Sequence, residues 1–266
     1  MGRPLTEPDS LADFDRRNVT LLGETKLVFV AGRGPAVIVM PELPGIYSYV
    51  ARFARFVCDA GFTVWMPNLF GEPGAPIRIG SALCVLAKVC ISSEFRAFAS
   101  NASSPVTAWL RALAAHAHPL CGGKGVGAIG MCFTGNFALS MMLEPSMLAP
   151  VLSQPSLPVL DAAGMHIAPE ELATVRARLE KEDLTVLAYR FAGDPFCKAE
   201  RFAAYTAALG NRFVGRVLPD SAANPNAPTH MKPHSVVTMH LIDRQGEPTR
   251  AAVDEILQFF ADRLKD

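Results

Sequence analysis

Short runs of β-forming residues alternate with stretches of helical apolar spacing along almost the whole chain, and this alternation constrains the fold more than any other feature. Val19–Leu22 and Lys26–Ala31 read as two strands joined by a turn at Gly23. Ala36–Met40 is a continuous apolar run of the kind that a strand covered on both faces shows. Tyr47–Ala60 places Val50, Phe53, Val57 and Ala60 at helical spacing, and Gly61 stands where a C-terminal glycine would end that helix. Phe62–Met66, Gly125–Ile129, Ala149–Ser153, Leu184–Phe191 and Arg212–Leu218 read as further strands. Pro105–His116, Phe137–Leu143, Ala168–Lys181 and Lys198–Leu209 read as the helices between them. Ala251–Leu264 closes the chain as an amphipathic helix with Val253, Ile256, Leu257, Phe260 and Leu264 on one face. Residues 73–104 fit the rhythm less well and read as a helical insertion over one edge of the sheet. Strands alternating with helices predict an α/β fold: a mostly parallel central sheet with helices on both faces. A chain of 266 residues fits one such domain, spanning residues 1–266, with a core large enough to need no disulfide or metal.

Charge and cysteine usage narrow the function classes. The 25 basic and 25 acidic residues balance, so no net field draws nucleic acid or anionic lipid. No run of about 18 apolar residues occurs, and the opening stretch reaches Asp9, Asp13 and Asp15 with no secretory apolar segment. A small-molecule partner is therefore expected, with no nucleic acid and no membrane. Six cysteines stand at 58, 84, 90, 121, 132 and 197, without a C-x-x-C pair or a zinc-type cluster with histidine. They read as free thiols of a reducing, cytoplasmic compartment, and no metal or other cofactor is expected.

Ligands of parallel sheets bind beyond the carboxyl ends of the strands, so the loops after Met40, Met66, Ile129, Phe191 and Leu218 carry the functional reading. The loop after Ile129 is Gly130-Met131-Cys132-Phe133-Thr134-Gly135, a G-x-C-x-x-G form of the nucleophile elbow between a strand and a helix. Small flanking residues leave room for the sharp turn, and a following helix would aim its N-terminus at the Cys132 sulfur and favour thiolate. A buried thiol on a tight turn is the plainer alternative. After Phe191 comes Ala192-Gly193-Asp194-Pro195, where Asp194 fits either the orienting acid of a triad or an N-cap for the next helix. The long loop after Leu218 ends at Pro233-His234-Ser235, which delivers a histidine in the order nucleophile, acid, base. His234 is favoured over His240, which sits in an apolar stretch and reads as a core or strand residue. His116 and His118 fall at a helix end, and His166 and His230 in loops. The turn after Met40, Pro41-Glu42-Leu43-Pro44-Gly45, is where one oxyanion-binding amide arises in this kind of fold, which assigns the two amides to Leu43 and Phe133. Glu42 in that turn lies near the nucleophile or is a surface charge.

These residues together resemble the dienelactone hydrolase family, from about Val28 to the terminal helix. The resemblance rests on Glu42 before the Pro44-Gly45 turn, on Ala60-Gly61-Phe62 followed by Pro67-Asn68-Leu69-Phe70-Gly71, on the Cys132 elbow, on Gly193-Asp194 and on His234-Ser235. It implies an α/β-hydrolase fold and a Cys132, Asp194, His234 triad acting on an ester or lactone, with no cofactor. The family's type reaction opens an unsaturated lactone that carries a carboxylate, the chemistry of a carboxymethylenebutenolidase. The resemblance also implies a glutamate that contacts the resting cysteine, a role that falls on Glu42. Two positions depart from the family pattern. Thr134 stands where a glycine is usual, and residues 235–238 hold no arginine, leaving Arg96 as the candidate for a substrate-holding cation. Two other readings of the same residues are a Cys/Glu amidotransferase-like or deglycase-like protein, which needs Cys132 and Glu42 but neither Asp194 nor His234, and a non-catalytic binding protein that reuses a hydrolase fold.

Overall fold

The computed structural model describes residues 4–77, 94–96, 99–229 and 231–266. Most of the helical insertion expected over 73–104 lies outside them, as do Cys84, Cys90 and His230. Eight strands form one sheet: β1 (Asp15–Leu21), β2 (Glu24–Gly32), β3 (Ala36–Met40), β4 (Thr63–Pro67), β5 (Val126–Met131), β6 (Met147–Ser153), β7 (Val186–Phe191) and β8 (Phe213–Leu218). Their order is β1-β2-β4-β3-β5-β6-β7-β8. The β1–β2 and β2–β4 pairs are antiparallel and all the others parallel. Leu22 and Gly23 both have positive φ, 52° and 81°, which is what a two-residue turn matching strand twist requires, and they join β1 to β2.

The helices of the described residues are α1 (Ser48–Asp59), α2 (Val106–Cys121), α3 (Phe137–Ser140), α4 (Pro169–Lys181), α5 (Ala199–Leu209) and α6 (Pro248–Leu264). They cover both faces of the sheet. Side chains alternate across a strand, so Ala36, Ile38 and Met40 of β3 pack with Trp109, Leu110 and Leu113 of α2. Val37 and Val39 pack on the other side with Val50 and Phe53 of α1 and Phe260 of α6. All five residues of β3 and all six of β5 are buried, which accounts for their continuous apolar runs. A Cβ at Gly127 of β5 would meet the Phe260 ring at 2.9 Å, so that glycine lets α6 lie directly on the sheet. No helix among the described residues is long and apolar enough to cross a membrane.

The chain differs from expectation mainly after β5. The helix expected over Phe137–Leu143 is one turn of α-helix, α3, followed by a 3₁₀ turn at Met141–Leu143; another 3₁₀ turn, Cys132–Thr134, precedes it. The helix expected to aim its N-terminus at the Cys132 sulfur is thus a sequence of short turns. At the other end of the scale, α2 runs on to Cys121, with His118 and Pro119 inside its last turn.

Candidate active site

Going outward from the middle of the sheet, chain order reverses between β3 and β5, and the crevice beyond their carboxyl ends is where such folds bind ligands. Glu42 follows β3 and Cys132 follows β5, so the two stand on either side of that switch point. Gln154 follows β6 and Asp194 follows β7.

Cys132 has φ 52°, the left-handed conformation that a sharp elbow imposes on a non-glycine residue. The turn is crowded. A Cβ at Gly130 would meet the Thr134 carbonyl oxygen at 2.0 Å, and one at Gly135 would meet Pro155 Cα at 2.5 Å. The Cys132 carbonyl accepts from the Gly135 amide at 3.0 Å and the Ser156 amide at 2.9 Å. Thr134, the departure from glycine, is fully buried and useful: its Oγ1 accepts from the Met131 amide at 3.0 Å. The same hydroxyl lies 3.1 Å from the carbonyls of Met40 and Met131 and 3.2 Å from that of Pro41, so its one proton is shared between the elbow and the end of β3. Leu43 and Phe133, the two residues assigned to oxyanion binding, stand on the turns after β3 and β5 and pack into the same core layer.

Asp194 and His234 meet, although 40 residues separate them: His234 Nδ1 donates to Asp194 Oδ2 at 2.8 Å. Asp194 Oδ1 accepts from the Phe196 and Cys197 amides, each at 2.9 Å. Asp194 is not the N-cap expected of it, since the next helix starts later. One oxygen closes the turn that follows β7, the other orients the imidazole, while the N-cap of α5 is Lys198. Asp220, just past β8, accepts from the Gly193 amide at 2.8 Å and steadies the same turn. His234 is buried, and its Nε2 has no hydrogen-bond partner among the described residues. Burial alone would lower the His234 pKa, but the negative charge available on Cys132 and the bond to Asp194 outweigh it and raise the pKa well above the usual value. Its ring meets Phe196 edge-on with centroids 5.2 Å apart.

Glu42 is nearly fully buried, at 1% exposure, so it is not a surface charge. Its carboxylate is surrounded by donors. Ser235 Oγ donates at 2.8 Å and Gln154 Nε2 at 3.2 Å to Oε2, while the hydroxyls of Tyr47 and Thr238 donate to Oε1. Burial first, and then the Glu42 charge, push the Tyr47 phenol well above its usual pKa. Gln154 also accepts from the Val236 amide through Oε1 at 3.2 Å. Glu42 and Gln154 thus hold the loop that presents His234 from two sides. The resemblance implied a glutamate in contact with the cysteine; here the carboxylate is engaged by these four donors.

His240 is buried as expected but sits in a turn, not in a strand. Its Nδ1 accepts from the Ser235 amide at 3.2 Å and the His234 amide at 3.4 Å. Burial, and then the nearby His234, lower its pKa to about 4, which keeps Nδ1 free to accept. His166 is also buried, against Ser104 and the Ala99 carbonyl, with a pKa lowered to about 4 chiefly by burial. Arg96 is exposed beside buried Phe95, at φ 45°, and has no acidic partner among the described residues. Phe95 packs with Phe70 and Phe133, centroids 5.8 Å apart in each pair, so Arg96 adjoins an aromatic layer under the elbow. A concavity of about 510 Å³ lies behind the histidine loop, lined by Asp220, Asn224, Met231, Pro233 and His240 among others; neither Cys132 nor His234 lines it. The described residues contain no group of three side chains able to hold a metal ion.

Sequence reasoning missed Tyr47, Gln154 and Thr238, and it placed His240 in the core without its bonds to the His234 turn. Gln154 had a findable signal, since it directly follows a parallel strand. The loop after Ser153 was the one left out of the five. The others are neutral side chains whose role exists only through the buried Glu42 or the His234 turn.

An elbow cysteine after a central parallel strand, with an acid and a histidine delivered by later loops, on a doubly covered sheet, is the architecture of the α/β-hydrolases. The chain belongs to the dienelactone hydrolase family: the model of that family matches residues 21–186, which include Glu42 and Cys132 and end before Asp194 and His234. Solved structures share the fold. A dienelactone hydrolase-like promiscuous phosphotriesterase from metagenomic libraries is similar at TM-score 0.62 and 17% identity, over 95% of this chain and 100% of that one. Dienelactone hydrolase from Anabaena variabilis is similar at TM-score 0.57 and 13% identity, over 95% and 100%. A cold-adapted esterase from an Arctic intertidal metagenomic library is similar at TM-score 0.52 and 12% identity, over 94% and 93%. No curated protein sequence matches the chain.

Proposed function

We propose that this protein hydrolyses an ester or lactone through an acyl-thioester on Cys132. The observation that carries the reading is the 2.8 Å bond from His234 to Asp194, which leaves Nε2 of a buried imidazole unpaired and Cys132 as a principal influence on its charge. Asp194 fixes the tautomer, with the proton on Nδ1, so Nε2 accepts the thiol proton. The thiolate attacks the carbonyl carbon, and the amides of Leu43 and Phe133 receive the developing oxyanion. His234 returns the proton to the leaving alkoxide as the thioester forms; in a lactone the alcohol stays tethered to the acyl group. Water, deprotonated by His234, then attacks the thioester and releases the acid and the free thiol. Glu42 supports the base by holding Ser235 and Thr238 of its loop. No cofactor enters the cycle.

The test is ester turnover with the intact protein and single variants. Cys132→Ala is expected to remove hydrolysis while the thermal melt stays cooperative, and His234→Ala and Asp194→Asn to lose about three to four orders of magnitude in kcat. Mass spectrometry of the quenched enzyme should show the acyl group on Cys132. A well-folded Cys132→Ala protein that turns over at the wild-type rate overturns the reading. An unaffected His234→Ala variant would favour the amidotransferase-like alternative.

A further inference from the structure

Large apolar side chains are left exposed on the loops that follow β6 and β7. Val159 and Leu160 on the loop after β6 and Phe196 on the loop after β7 are each 46–80% exposed. These positions are built. The Arg201 guanidinium is buried and donates to the carbonyls of Pro155, Leu157, Pro158 and Asp161, pinning the segment that shows Val159 and Leu160. The Phe196 amide is held by Asp194 and its ring meets His234 edge-on. A half-exposed phenylalanine whose amide is held by the acid and whose ring meets the base edge-on is positioned to cover part of any bound acyl or alkyl group.

The buried cations Arg52 and Arg190 are engaged with backbone carbonyls through one terminal nitrogen each, while the Nε of each has no partner among the described residues. Arg52 donates to the Thr238 carbonyl, and Arg190 to the carbonyls of Phe191, Ala192 and Cys197. Thr238, four residues past His234, gives its hydroxyl to Glu42. Arg96, Lys198 and Lys232 remain as exposed charges on the rim. We propose that the site selects a neutral ester or lactone with an apolar portion lying against Phe196, and that Phe196 determines this specificity. The inference rests on Cys132 being the nucleophile.

The experiment compares three esters of 4-nitrophenol on the intact protein: the acetate, the hexanoate, and the mono-adipate, in which a carboxylate replaces the terminal methyl of the hexanoate. The hexanoate is expected to exceed the mono-adipate at least about tenfold in kcat/KM, a difference of ~1.4 kcal/mol. Phe196→Ala should lower the hexanoate value about tenfold more than the acetate value, through KM, and Phe196→Leu should recover most of it. Equal or preferred use of the mono-adipate overturns the inference and points to Arg96, Lys198 or Lys232 as substrate ligands. An equal fall for acetate and hexanoate also overturns it, because Phe196 would then only position His234. Absence of turnover with every ester is a failure of the nucleophile reading instead. In that case labelling of Cys132 by N-phenylmaleimide against iodoacetate, each scaled to its rate with free cysteine, decides the preference. Faster labelling by the apolar reagent supports it, and parity overturns it.

Discussion

Thr134 is the residue at which this elbow departs most from its family, and its hydroxyl explains the exchange. It receives the Met131 amide and shares its proton among the carbonyls of Met131, Met40 and Pro41, so it replaces backbone room with buried hydrogen bonds. Thr134→Val preserves the shape and removes the hydroxyl, which leaves a buried N–H unpaired. The expected loss of stability is about 1–3 kcal/mol, read as a lower urea midpoint at unchanged slope. Thr134→Gly should cost stability as well, because it removes the same bonds and adds chain freedom to a turn already at φ 52°. Glu42 makes the complementary point with an acceptor. Four donors from Tyr47, Gln154, Ser235 and Thr238 converge on one carboxylate, so Glu42→Ala strands all of them at once. It is expected to destabilise by roughly 3 kcal/mol or more, even after the hydroxyls find new partners. Measured alkylation of Cys132 in Glu42→Ala should also lose its dependence on the His234 base, since the loop carrying that histidine is released. Unchanged melting and unchanged alkylation would remove Glu42 from the supporting role.

Elements were far easier to read than the ties between them. β3 was expected over Ala36–Met40 and is found there, because a strand buried on both faces must be apolar throughout and is bounded by Gly34-Pro35 and Pro41. The terminal helix was legible for the complementary reason, a single apolar stripe facing β5 and β6. The positions of Cys132 and Asp194 just past β5 and β7 were legible because strand ends can be located from such runs, whereas His234, far past the end of β8, was singled out only by its order along the chain. The stretch after Cys132 was not legible, because its short turns are set by contacts that no periodicity records. Asn136, for example, donates to the carbonyls of Leu157 and Met165, far along the chain. Arg201 is another such tie, and it belongs to the scale of the element: one side chain of α5 orders the whole loop that follows β6. Arg201→Met keeps the apolar stem and removes the four hydrogen bonds. Hydrogen exchange is expected to accelerate across residues 155–163 while β6 itself stays protected, and ester KM is expected to rise more than kcat falls. Uniformly faster exchange over the sheet would instead make Arg201 a global stabiliser.

At the scale of the molecule, the balanced formal charge of 25 basic against 25 acidic residues makes bulk electrostatics a poor source of pH dependence near neutrality. The dependence resides in buried histidines, and their signs differ. His234 has a raised pKa in the folded protein, so its contribution is fully present below the unfolded value of 6.5 and is lost only as pH rises through the folded value. His166 and His240 are lowered to about 4 from 6.5, mainly by burial. Between those limits the unfolded chain takes up protons that the folded chain refuses, so stability falls as pH drops from 6.5 to 4. For His166 the shift corresponds to a ceiling of roughly 3 kcal/mol, and below pH 4 this histidine contributes no further slope. His240 adds loss of the same sign, and it also has a local effect. A proton on Nδ1 abolishes the acceptor for the Ser235 and His234 amides, so the loop that presents His234 is expected to loosen before the sheet does. Thermal melts between pH 7 and pH 4.5 should therefore fall steadily, with ester hydrolysis failing reversibly at a pH above that of global unfolding. In His166→Gln the melting curve should be flatter with pH while the early loss of activity persists. A His166→Gln protein with the wild-type pH slope would show that this histidine does not govern acid stability, and simultaneous loss of activity and fold would show that the His240 contact opens only on unfolding.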